Sequence, residues 1–199
     1  MRPFDKLIDP PLDRVAAQFV RFGVGAHAII IVGLVAGLAA AVAIAAHFYL
    51  AGLALLAVNL LLTGLSAPVA RLTKVTELSD FLAIVFEFIV TASVPFAFAL
   101  ADPSRALAAN FLLLGLLVCG STSLSHKVLV PRSKIAADVP GPLSIHGLGA
   151  TAGRGAIFLG FAIACLKQDW FSLVAYVLGV LSFAAAGTWV VAAVTDFDS

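Results

Sequence analysis

The sequence predicts an all-α, polytopic membrane protein with about six transmembrane helices and an N-terminal interfacial amphipathic helix. Three observations carry that prediction. The first is composition. Of 199 residues, 62% are hydrophobic and only 12% charged, whereas about a quarter are charged in a soluble domain. So few charges cannot cover a water-facing surface, and the bilayer must be the solvent. The second is a run from Phe22 to Ala70 without a single Asp, Glu, Lys or Arg, long enough for two crossings of about 20 residues each. The third is the placement of Lys and Arg, which fall almost entirely on one side of the predicted bundle. The net charge of +1 gives no general attraction to nucleic acid, so the lipid bilayer is the expected partner.

The elements follow in order. Residues 1–25 form a juxtamembrane segment in which Leu12, Val15, Phe19 and Val20 recur at helical spacing with Arg14 and Arg21 between them. That pattern predicts a helix from about Leu12 to Phe22 lying on the inner leaflet. Residues 26–199 form the transmembrane domain. The aromatic cluster His47, Phe48 and Tyr49 divides the uncharged run, because aromatic rings collect at membrane interfaces. Helices are expected at Ala26–Ala46, Leu50–Val69, Leu78–Leu100, Leu107–Leu124, Gly149–Leu166 and Trp170–Val194. Asp102-Pro103 closes the third, and an interfacial Trp opens the sixth. One long connection, at about 125–148, is rich in Pro and Gly.

With the N-terminus inside, Arg2, Lys6, Arg14, Arg21, Arg71, Lys74, Lys127, Arg132, Lys134 and Arg154 lie on the cytoplasmic side, and only Arg105 and Lys167 lie outside. Ten basic residues against two is a strong positive-inside signal. Cys119 and Cys165 fall within apolar segments and read as small buried hydrophobes rather than a disulfide. Gly33 and Gly37, and Gly115 and Gly120, read as places of close helix packing.

The stretch from Asn59 to Pro95, NLLLTGLSAPVARLTKVTELSDFLAIVFEFIVTASVP, carries the most information. It resembles the signature of the CDP-alcohol phosphatidyltransferases, D-x-x-D-G-x-x-A-R followed after a short spacer by G-x-x-x-D-x-x-x-D. Ala70-Arg71 stands at the A-R position. Pro68-Val69, Phe81-Leu82, Ile84-Val85, Phe88 and Ala92-Ser93-Val94-Pro95 match the flanks of one bacterial branch, and the opening LIDPPLDR is similar to it too. The resemblance implies a six-helix fold in a bacterial cytoplasmic membrane, assembled as a homodimer or within a larger membrane complex.

The family's reaction moves a phosphatidyl or similar group from a CDP-alcohol to an acceptor hydroxyl and releases CMP. Two hard divalent cations, Mg or Mn, neutralise the pyrophosphate, and hard cations want oxygen ligands. Residues three or four apart share one helix face, so the motif aims two Asp from each of two helices into one cavity. The resemblance makes the last Asp the general base. Here the first Asp position is Thr63, the second is Ser66 and its following Gly is Ala67. The later Gly position is Ser79, the third Asp is Ala83 and the fourth is Glu87. Three of the four carboxylates are replaced. Thr63 and Ser66 are neutral oxygen donors, and Ala83 offers none.

Three readings follow. The first is the family's scaffold with a disabled site, needing no cofactor and serving as a structural or accessory subunit. The second is a working transferase with a rebuilt metal site using Glu77, Asp80 and Glu87, with Glu87 catalytic. The third is an unrelated membrane protein, with a cofactor or pigment version in which one of His27, His47, His126 or His146 supplies an axial bond. No histidine pair has metal-ligand spacing. Arg71, which the resemblance places beside the nucleotide, and Arg154, a candidate partner for Glu87, are the expected contacts to lipid or phosphate.

Overall fold

The computed structural model describes residues 17, 18, 20, 21, 25–72, 77–129 and 148–197. Residues 17, 18, 20 and 21 are helical, and among the described residues six further α-helices follow: α1 Ala26–Ala45, α2 Tyr49–Leu72, α3 Glu77–Ala101, α4 Ala106–Leu129, α5 Leu148–Leu166 and α6 Phe171–Phe197. Short 3-10 turns at Pro103–Arg105 and Gln168–Trp170 lead into α4 and α6. Among the described residues there is no strand, as hydrocarbon requires: a backbone without water must satisfy its own N–H and C=O groups, and a helix does so locally. Most of the N-terminal segment expected at 1–25 and residues 130–147 of the long connection lie outside the described residues. Of that connection, the first residues belong to α4, which runs on to Leu129.

Among the described residues, five apolar runs are long enough to cross a bilayer: Ala26–Ala45, Tyr49–Ser66, Phe81–Ala101, Pro103–His126 and Gln168–Val194. The expected fifth span is helix α5, whose 19 residues hold one charged residue, Arg154, and rise about 28 Å, close to the roughly 30 Å hydrocarbon core.

The helices fall into two compact units, Met1–Val94 and Pro95–Ser199. The boundary lies inside α3, at Pro95, where the missing N–H leaves the Thr91 carbonyl without its helical donor.

In the first unit α1 and α2 form an antiparallel hairpin. Its turn is a Schellman closure: His47 N–H donates to the Ile44 carbonyl at 3.0 Å and Phe48 N–H to the Ala43 carbonyl at 2.8 Å. This geometry needs a left-handed residue, and His47 supplies it with φ 66°. Its ring meets Tyr49 edge-on, with Nδ1 3.2 Å from the Tyr49 hydroxyl. Along the hairpin, Asn59 Nδ2 donates to the Gly33 carbonyl at 2.7 Å. Gly52 fits against Ile44, and a Cβ there would stand 2.6 Å from Ile44 Cγ1. At the far end Ala26, Ile29 and Val69 pack together with Leu62 and Val20. α3 joins through Val90, which covers Gly37 so closely that a Cβ on the glycine would lie 2.5 Å from it.

In the second unit α4 and α6 run parallel. Phe111 packs on Tyr176 and Phe183, with ring centroids 5.5 and 5.6 Å away, and lies across Gly179 between them. Gly115 meets the Gly179 backbone itself: a Cβ on Gly115 would be 2.9 Å from the Gly179 oxygen. Further along, His126 packs on Trp189 at 5.1 Å. α5 runs antiparallel to α6, its Gly160 seated against Val174 and Leu178. Phe98, near the end of α3, stacks on Phe171 at 4.3 Å.

The polar turns are built locally. Asp102 accepts from Ser104 N–H at 3.0 Å and from the Ser104 hydroxyl at 2.7 Å, and pairs with Arg105 at 3.1 Å. Lys167 Nζ lies 5.2 Å from the centre of the Trp170 ring.

Two outcomes follow from this packing. His47→Val will lower stability by about 1–2 kcal/mol, because a branched residue resists the left-handed region, while His47→Gly will be nearly neutral; thermal unfolding in detergent micelles separates the two. Gly179→Leu will cost about 1–3 kcal/mol by overpacking the Phe111 slot, read in the same assay.

Candidate functional site

The motif positions divide between two helices of the first unit. α2 carries Thr63, Ser66, Ala67, Ala70 and Arg71, and α3 carries Ser79, Ala83 and Glu87. Thr63 and Ser66 are half-buried. The Ser66 hydroxyl donates to the Thr63 carbonyl at 2.7 Å, so its proton is spent on its own helix. Pro68, buried in the following turn, deprives the Gly64 carbonyl of its donor. The helix nevertheless continues through Ala70-Arg71 to Leu72. The side chains of Ala67, Ala70 and Arg71 lie outside the described residues, as do those of Glu77 and Asp80.

On α3, Ser79, Ala83 and Glu87 follow at intervals of four. Each step turns about 40° around the helix, and the three together rise about 12 Å. They form a slowly turning stripe rather than a cluster. Ser79 is buried at 3% exposure. Ala83 and Glu87 are half-buried. Glu87 stands one turn before Val90, the residue that docks α3 onto Gly37. Ser79 and Glu87 are both engaged in further interactions. A carboxylate at this depth in an apolar helix is held by specific surroundings, since lipid offers it none.

Arg154 belongs to the second unit. It lies near the start of α5, is exposed, and is itself engaged. The expected pairing of Glu87 with Arg154 would join residues of different units. Among the histidines, His126 is a core residue at 4% exposure against Trp189. His27 is half-buried, His47 is exposed in its turn, and His146 lies outside the described residues.

The residues do not fit the pair of divalent cations that the transferase resemblance implies. A hard cation stripped of water requires several oxygen ligands, mostly anionic. Thr63 and Ser66 bring no charge, and Ala83 brings no oxygen. Among the described residues no group of three or more His, Cys, Asp or Glu is gathered as a metal site. What the positions offer is two half-buried hydroxyls on α2 and, on α3, one buried hydroxyl and one half-buried carboxylate.

Motif reasoning passed over two polar residues that the structure brings forward. Asn59 and Asn110 are the only asparagines in the chain, and both lie within apolar runs. That contrast was the available signal.

No family model matches the chain, and no solved structure matches it. It is similar to the "Inner membrane protein YnjF" of Escherichia coli (strain K12), with 34% identity over 185 residues. The match takes in 89% of this chain and 88% of that protein, so it extends far beyond the motif on α2 and α3. Identity at this level along nearly the whole of both sequences is shared descent, and the chain belongs to the family of the inner membrane protein YnjF.

Proposed function

We propose that this integral membrane protein is a non-catalytic relative of the CDP-alcohol phosphatidyltransferases, and that it serves as a structural or accessory subunit within a bacterial inner membrane. The observation that carries this reading is the state of the motif on α2. Its two ligand positions hold hydroxyls, and the Ser66 hydroxyl is turned back onto the Thr63 carbonyl. The frame around them survives: Ala70-Arg71, the buried Pro68, and the apolar flanks on α3. A scaffold that keeps its apolar frame and loses its ligands retains the helix packing and gives up the metal chemistry. The relationship to an inner membrane protein supports the location.

The alternative is phosphatidyl transfer by an altered site. Glu87 favours it, as a half-buried carboxylate at the position the resemblance gives to the general base. Such an enzyme would require Mg²⁺ or Mn²⁺ and would lose activity on Glu87→Gln.

CMP release decides between them. In vesicles containing CDP-diacylglycerol, candidate alcohols and Mg²⁺ or Mn²⁺, the natural chain will release CMP only at background. The variant carrying Thr63→Asp, Ser66→Asp, Ala67→Gly, Ser79→Gly, Ala83→Asp and Glu87→Asp will release it above background. Metal-dependent release by the natural chain, abolished by Glu87→Gln, would replace this proposal with the enzymatic one.

A further inference from the structure

The pattern Ser-x-Pro occurs twice inside helices of this chain, as Ser66-Ala67-Pro68 on α2 and Ser93-Val94-Pro95 on α3. The two copies are built alike. In each, the proline withholds an N–H from the carbonyl four residues back, that of Gly64 or of Thr91. In each, the serine hydroxyl turns onto the carbonyl one residue earlier still. Ser66 donates to Thr63 at 2.7 Å and Ser93 to Val90 at 2.8 Å. A missing N–H and a back-bonded serine both loosen the regular ladder, and they mark the places where a membrane helix bends.

The settings of the two turns differ. Leu62 and Val69, on either side of Pro68, pack on the same cluster around Ala26 and Ile29. Both arms of that turn are therefore held by one unit. Pro95 stands where the chain passes, once, from the first unit to the second, and its two arms are held by different units. Before it, Val90 seats on Gly37 of α1. After it, Phe98 stacks on Phe171 of α6 at 4.3 Å. Val94 and Pro95 are themselves fully buried, which suits a pivot: its side chains travel least and keep their packing while the ends of the helix travel most.

We propose that α3 bends at Ser93–Pro95 and that the two units move on this turn as separate bodies. The arms are unequal. From Pro95 the helix runs back to Glu77, about 27 Å, and on to Ala101, about 9 Å. A change of bend of about 10° moves the Glu77 end by about 5 Å. The long arm carries Ser79, Ala83 and Glu87, so the motion is largest at the end of the helix that bears the motif. The turn at Pro68, with both arms on one unit, stays rigid. The hinge needs only the two units and the helix that joins them, so it stands or falls separately from the transferase-like reading.

The test uses the full chain in phosphatidylethanolamine–phosphatidylglycerol vesicles, with Cys119→Ser, Cys165→Ser and pairs of spin labels on cysteines introduced at exposed positions. Labelled protein is diluted with unlabelled protein, so that only distances within one chain are read. Leu72→Cys with Leu129→Cys spans the two units. Leu72→Cys with Val42→Cys lies within the first, and Leu129→Cys with Leu173→Cys within the second. With Ser93 and Pro95 in place, the distance distribution across the units will be at least about twice as broad as those within them. Pro95→Ala will narrow it to the width of the others, and Pro68→Ala will leave it unchanged. Ser93→Ala, which keeps the buried ring in place, will narrow it in part, and it decides the matter if the within-unit pairs show that Pro95→Ala disturbs the fold. Equal widths across and within the units would overturn the proposal before any variant at the turn is made. So would a broad distribution that Pro95→Ala and Ser93→Ala both leave unchanged, or one that Pro68→Ala narrows as much as Pro95→Ala does.

Discussion

The close approach of helices at glycine is the interaction on which the rest of this structure depends. Lipid tails are as apolar as leucine, so two membrane helices gain nothing by hiding apolar surface from their solvent. They gain by van der Waals contact, which requires backbones to come near. α1 shows the consequence. Its buried face is Gly33, Ala36, Gly37, Ala40, Ala41 and Ile44, while Ile31, Val32, Val35 and Val42 face outward. Both faces are apolar and are sorted by size. Val90 can seat on α1 only because Gly37 has no side chain, and α4 can meet α6 at the backbone only because Gly115 faces Gly179.

The same solvent governs the polar groups. Hydroxyls on the spans donate to their own helices: Thr122 to Val118, Ser182 to Leu178, Thr188 to Ala185. The Ser66 hydroxyl does the same, so Thr63, Ser66 and Ala83 carry no charge that a cation would have to offset in lipid. Glu87 is the exception. It carries a carboxylate at half-buried depth, one turn before the contact that holds α3 to α1.

The relationship to an inner membrane protein extends along nearly the whole chain, through both compact units. The motif itself occupies only the first unit. The second unit is built around a different device, the slot at Gly179 into which Phe111 lies between Tyr176 and Phe183. Asn59 shows how such a scaffold uses an inward polar residue, by tying α2 to the Gly33 carbonyl of α1.

The sequence by itself determined the helices. Among the described residues their order and their starts were legible because hydrocarbon allows a chain few choices: apolar runs of sufficient length become helices, and aromatic or charged clusters such as His47–Tyr49 and Asp102–Arg105 mark the breaks; α2, α4 and α6 run past their expected ends to Leu72, Leu129 and Phe197. The residue types at the motif positions were equally plain, since Thr63, Ser66 and Ala83 carry no carboxylate in any fold. The fifth helix was legible in the same way, as a 19-residue run that holds one charged residue, Arg154. What only the tertiary structure decided was which side of each helix faces inward. In water, polarity announces that face; in lipid both faces are apolar, and the difference between Asn59, tied to the Gly33 carbonyl, and Asn110, exposed on α4, arises from which helix lies beside them.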